Sequence, residues 1–154
     1  MKKLALGMIV VALLTGCASV KMESREASDK AKQFAAPRAG MAGIYVYRDS
    51  FVGKALKKDV WIDGKCIGES GPDTFFYTEA APGKHTLSTE SEFSPNDLAI
   101  LVEAGRNYFY RQFIKMGLVK GGADLEAMPE AEGKAAVAKL ALASGGACSG
   151  TYAK

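Results

Sequence analysis

The chain has 154 residues, 48% of them hydrophobic, with 20 basic side chains against 17 acidic and a formal net charge of +3. That length allows one domain with a proper core. So small a positive balance argues against phosphate-driven nucleic-acid binding, which needs a basic footprint.

The first stretch carries Lys2 and Lys3, an apolar run from Leu4 to Leu14, and then Leu14-Thr15-Gly16-Cys17. A basic start, a short apolar middle and small residues before a cut are the anatomy of a secretory signal peptide. The run is too short to span a bilayer, which needs about 20 residues. A cysteine directly after Leu-Thr-Gly resembles the lipobox of bacterial lipoproteins. That resemblance implies that residues 1–16 are removed, that the Cys17 thiol receives a diacylglycerol, and that the new amine is acylated, with palmitate or a similar chain. An ordinary secretory leader with a chance cysteine is the competing reading. Loss of the leader removes Lys2 and Lys3, so the mature chain is close to neutral. Ala18 and Ser19 follow Cys17, without the aspartate associated with inner-membrane retention. The expected location is therefore the periplasmic side of the envelope, with the outer membrane ahead of the inner.

Residues 17–40 are polar and charge-mixed, and Val20, Ala27 and Phe34 recur every seven positions. Three isolated points are a weak helix signal, so this stretch reads as a flexible tether ending at Pro37 and Gly40. The folded domain is expected over residues 41–143. Ile44 and Val46 alternate with Tyr45 and Tyr47, which is strand periodicity in β-branched and aromatic residues. A loop over 49–57 precedes a strand at 60–62. Asp63-Gly64 supplies a tight hairpin turn, and a strand from Lys65 returns beside the first. Further turn signals at Gly71-Pro72, Pro82-Gly83, Ser94-Pro95 and Gly105 separate strands near 74–78, 85–91, 98–102 and 107–115. Residues 118–126 are ambiguous. Pro129 opens a stretch rich in Ala, Glu, Lys and Leu that reads as a helix over about 130–142, weakened by Gly133. A Gly/Ser-rich tail, 144–154, closes the chain. Short strands with regular turns indicate an all-β, β-sandwich-like domain of about seven to eight mostly antiparallel strands with one short C-terminal helix.

From Met41 onward the chain resembles bacterial lipoproteins that carry the domain of unknown function 2846. The residues that carry the likeness are Gly43-Ile44-Tyr45-Val46-Tyr47-Arg48, Phe51-Val52-Gly53, Ile62-Asp63-Gly64-Lys65 and Gly68. They continue through Phe76-Tyr77, Pro82-Gly83-Lys84-His85, Gly105-Arg106-Asn107-Tyr108-Phe109 and Lys115-Met116-Gly117. The resemblance implies a sandwich-like β-domain at the cell envelope. It implies no activity, and it supplies no catalytic residue to carry over.

Chemistry-bearing residues are few. His85 is the single histidine. It could be a base or ligand, but with no second histidine it reads as a strand residue after a turn. Asp63, Glu69, Asp73 and Glu79 could form a glycosidase-like pair, although turn chemistry explains them as well. Cys66 and Cys148 remain after lipidation of Cys17, an even number for an oxidising compartment. A bond between them would staple a tail that otherwise has little reason to be ordered. Tyr45 and Tyr47, with Tyr108 and Tyr110, suggest a tyrosine surface for a partner. The alternative is that the C-terminal helix covers that face, because Val137 and Leu140 need somewhere to pack. The expected function is a membrane-anchored envelope module that binds an envelope protein or glycan, or is structural. It needs no catalytic residue, no metal and no cofactor, and binds no nucleic acid. The rival is a hydrolase acting on cell-wall or envelope glycans.

Overall fold

In a computed structural model of the chain, residues 18–153 are described. The element that organises them is β1 (Ala42–Arg48), every residue of which is buried. It pairs antiparallel with β4 (Thr74–Ala80) on one side and parallel with β7 (Asn107–Lys115) on the other. β8 (Gly122–Met128) and β9 (Ala141–Leu142) complete a five-stranded sheet in the order β8-β7-β1-β4-β9. A second sheet has the order β3-β2-β5-β6, from β2 (Lys58–Ile62), β3 (Lys65–Ser70), β5 (Gly83–Thr89) and β6 (Asn96–Val102). Pairing is antiparallel except at β1–β7 and β4–β9. The all-β sandwich read from the turn spacing is the fold observed.

Aromatics lie on both faces of the first sheet because both faces are covered. Ile44, Val46 and Tyr110 point between the sheets, against Val60, Leu87 and Val102. Tyr45, Tyr47, Phe75 and Phe109 point the other way, under Val137 and Leu140. These last come from the helix α2 (Glu130–Val137) and the turn after it. Such a three-layer stack leaves β1 no solvent face, so its alternation marks two dry compartments.

The helix is shorter than expected. It ends at Val137, and Ala141-Leu142 instead form β9 beside Thr74 and Phe75. The backbone of this stretch finds acceptors on β4: Ala141 N–H donates to Asp73 O, and Ala143 N–H to Phe75 O (2.9 Å). An edge strand with unpaired groups outweighs a weak helical preference. The ambiguous residues 118–126 contain β8, paired with β7 over its full length.

The reading of residues 17–40 as a flexible tether is corrected for the described part. Cys17 itself, and the leader, lie outside the described residues. Residues 18–40 form a strap that includes α1 (Arg25–Ala31), capped by Ser24, whose hydroxyl accepts from Ala27 N–H. Glu23 N–H donates to Leu142 O, Ser144 N–H to Lys21 O, and Leu142 N–H to Ser28 Oγ. Phe34 packs edge-on against Tyr45 and Phe109, with ring centroids 5.5 and 5.8 Å away. The strap is held because it closes the exposed edge at β9 and roofs the aromatic layer. A local reading of polar composition carries no trace of either role.

Candidate functional site

Cys66 lies on β3 and Cys148 in the tail, and the two are bonded with their Cα atoms 6.0 Å apart across a sequence separation of 82. A second device holds the same tail. Asp59, wholly buried on β2, accepts from Ser149 N–H (3.0 Å), Ser149 Oγ (3.0 Å) and Gly150 N–H (2.8 Å). Beyond it the Tyr152 ring stands 5.9 Å from the Trp61 ring. The tail is therefore ordered by packing as well as by the staple. Asp59 offered no sequence signal; a charged residue in a strand reads as solvent-facing until something covers it.

The four tyrosines do not form one surface. Tyr45 and Tyr47 lie under α2, whereas Tyr110 and the partly buried Tyr108 face the inter-sheet core. Tyr45, Tyr47 and Tyr110 are buried, so the exposed tyrosine stripe is corrected: α2 covers Tyr45 and Tyr47, and the second sheet covers Tyr110. Burial pushes the Tyr45 and Tyr110 hydroxyls up to about 12. Gln112 shares the inward parity of Tyr108 and Tyr110. It reaches across the core, donating from Nε2 to Thr89 Oγ1 (2.7 Å) and meeting Ser70 Oγ with its carbonyl. A polar residue at inward parity was a legible sign of this bridge between sheets.

His85 is held at both ring nitrogens. Nδ1 lies 2.6 Å from Asp63 Oδ2 and Nε2 2.7 Å from Ala81 O. Both partners accept, so the ring is best satisfied as the imidazolium, and neither nitrogen is left to act as a base. Donation to the Asp63 carboxylate, and then to Ala81 O, raises the His85 pKa above 6.5. The same bond, with that from Thr86 N–H, holds Asp63 below its ordinary value. A raised histidine contributes stability fully present below its unfolded pKa and lost as pH rises through the folded one. A depressed aspartate contributes stability present above its unfolded pKa and lost as pH falls through the folded one. The pair should therefore stabilise most between about pH 4 and 6.5. Thermal melts of the protein and of His85→Gln are expected to converge as pH rises through the folded pKa of His85. A difference that stays constant as the His85 ring is seen by NMR to lose its proton would show that the imidazolium is not the stabilising form.

The remaining carboxylates that were candidates for paired chemistry are dispersed. Glu69 pairs with Lys57 at 3.4 Å, and Glu79 with Arg38 and the Tyr77 hydroxyl. Asp73 occupies a left-handed turn position, φ 57°. No group of three or more metal-binding side chains occurs among the described residues.

Between α1 and the β1–β4 surface runs a groove of about 490 Å³. Ala31, Ala35, Tyr77 and Leu142 give it apolar walls, and Arg38 and Glu79 stand at its rim. Glu79 also accepts from Arg38 N–H (3.0 Å), so the rim is pinned to the strap. Such a groove can take an apolar group carrying a polar end.

The other distinctive region is one end of the sandwich. β1 and β7 run parallel, so the loops that follow them, 49–57 and 116–121, emerge together. Arg48, wholly buried, shapes the first loop by donating to Leu56 O (2.7 Å) and Gly53 O (2.6 Å). Glu92, on the β5–β6 loop, accepts from the N–H groups of Leu118 (2.8 Å), Val119 and Lys120 (3.0 Å).

Fold and site together define a disulfide-stapled β-sandwich. Comparison with known proteins places it further: the chain belongs to the family described as "Protein of unknown function (DUF2846)", whose model matches residues 38–123. It is also similar to a Haemophilus influenzae protein described as an "Uncharacterized protein", with 57% identity over 134 residues, covering 87% of this chain and 80% of that one. The family match runs from the end of the strap to the first residues of β8, so α1, α2, β9 and the stapled tail lie outside it.

Proposed function

We propose that this protein is a lipoprotein, anchored through Cys17 in the outer membrane and facing the periplasm. It acts by binding an envelope protein or glycan, or as a structural module of the envelope, without catalysis. The observation that carries the reading is the Cys66–Cys148 bond. Disulfides persist in oxidising compartments, which is where a leader of this type delivers a chain. The engagement of His85, Asp63, Glu69 and Glu79 in ion pairs and turn contacts supports binding over hydrolysis. The groove beside Tyr77 suits an apolar or aromatic group on the partner.

Cys17→Ser is expected to move the protein from the membrane to the soluble periplasmic fraction, or to leave it unprocessed, because stable anchoring takes two acyl chains or more. Cell fractionation followed by intact mass measurement checks this. A variant that is still cleaved and membrane-bound would remove the anchor at Cys17. Envelope crosslinking and pull-down of the lipidated protein, read by mass spectrometry, then identifies the partner.

A further inference from the structure

We propose that the end of the sandwich formed by loops 49–57, 90–95 and 116–121 docks into the phospholipid leaflet that holds the Cys17 acyl chains. The proposal rests on the lipoprotein reading above and goes beyond it: the domain lies on the membrane by a defined face.

The three loops form one surface. Glu92 ties the second to the third through three backbone N–H groups. Gly53 lies against the Ile114 side chain and Gly121 against Leu56, which ties the first loop to the end of β7 and to the third. On this surface stand Phe51, Val52, Phe93, Met116, Leu118 and Val119, with exposures between 53% for Val52 and 92% for Met116 and Leu118. The other large hydrophobics exposed among the described residues, Met22 and Leu101, lie on different parts of the molecule. A soluble domain seldom gathers its exposed large apolar groups at one tip unless they enter something apolar.

The occupant follows from where the chain enters. Ala18 N–H donates to Lys54 O at 2.9 Å, inside the first loop. Its carbonyl and the Val20 side chain face Gly71, at the neighbouring β3–β4 turn. Cys17 is one residue away, and adjacent Cα atoms are about 3.8 Å apart. Acyl chains on Cys17 would therefore attach one residue from Ala18, which is hydrogen-bonded into the first loop. Once they enter a leaflet, the apolar loops are brought to the same surface.

Charge agrees with a phosphate headgroup layer. The Lys54 ammonium lies 4.5 Å from the Phe51 ring centroid, and exposed Lys120 stands beside Val119. The carboxylates of these loops are drawn onto the protein: Asp49 to Arg111 (2.7 Å), Glu90 to Lys58 (3.1 Å), and Glu92 to the loop N–H groups. Apolar tips flanked by Lys54 and Lys120 suit the boundary between headgroups and acyl chains.

The test uses the full-length lipidated protein carrying Leu118→Cys, or Leu101→Cys on β6 as control, with an environment-sensitive fluorophore on the new thiol. The proteins are reconstituted into phosphatidylethanolamine–phosphatidylglycerol vesicles containing a quencher in the acyl region. Intact mass reports the acyl chains. The expected result is quenching at position 118 several-fold stronger than at 101, reduced when Phe51→Ser and Met116→Ser are added. Acyl mass present with equal quenching at the two positions overturns the docking and leaves the anchor standing. Absence of acyl mass from the protein with Cys17 intact removes the anchor; quenching at 118 in that unacylated protein would keep loop insertion, and its absence would end both. Shielding of position 118 only when other envelope proteins are added assigns the surface to a protein partner and overturns the proposal.

Discussion

Gly133→Ala is expected to destabilise the domain, although alanine is the better helix former by about 1 kcal/mol. Gly133 is buried in the middle of α2, and a Cβ there would overlap the Cβ and Cγ of Phe109 on β7. Phe109 cannot yield, because its ring is stacked on Tyr45 at 4.8 Å and met edge-on by Phe34. The helix must lift instead, which loosens Val137 and Leu140 above the aromatic layer. Overpacking of this kind costs about 1–3 kcal/mol, so the net loss should exceed the propensity gain. Gly133→Leu should lose more still. Urea denaturation followed by circular dichroism measures both. A midpoint that rises for Gly133→Ala would mean that α2 does not sit on Phe109.

The double variant Cys66→Ser with Cys148→Ser is the other large effect. The chain-entropy relation assigns about 4–5 kcal/mol to a loop of this size, and measured values run nearer 2–4 kcal/mol. Either figure is a large share of the stability of a small domain. The loss also has a local signature. Trp61 is the single tryptophan, it is buried, and the tail residue Tyr152 packs against it. Removing the staple leaves the tail held mainly by Asp59. Its opening should expose Trp61 before the sheets unfold, as a red shift in emission at low denaturant. Asp59→Asn in the same background should strengthen that shift. Coincident fluorescence and circular dichroism transitions in the double variant would show that the tail and sandwich open as one unit.

Several elements were legible because their signals are local. Alternation over 43–48 and 107–115, and turn residues at Asp63-Gly64, Pro82-Gly83 and Gly105, depend on near neighbours in the chain. They place β1, β7 and the hairpins with little help from the rest of the fold. The cysteine pairing was legible from the ordered strand position of Cys66 and the Gly/Ser-rich tail around Cys148, and the Cα separation of 6.0 Å permits it. The length of α2 was misjudged for an equally physical reason. Alanine-rich residues 138–142 satisfy helical preference, but β4 offers Ala141 and Leu142 backbone partners that only the folded chain brings near. Residues 18–40 show the same effect: their contacts with β9, Tyr45 and Asn107 are remote in sequence.

By itself the sequence determined the all-β class, the strands set off by turns, and Cys66 and Cys148 as a pair to be joined. Each of these depends on residue identity within a few positions. The tertiary structure alone decided which faces are dry. Tyr45 and Tyr110 both alternate with neighbours in the pattern of a half-buried strand, yet one lies beneath α2 and the strap and the other lies between the sheets. It also decided that Asp59 is a clamp and not a surface charge. It brought the apolar loops 49–57 and 116–121 to one end, because β1 and β7 run parallel and their connections leave from the same edge. Period-two alternation names two faces of a strand; what covers each face is set by segments tens of residues away.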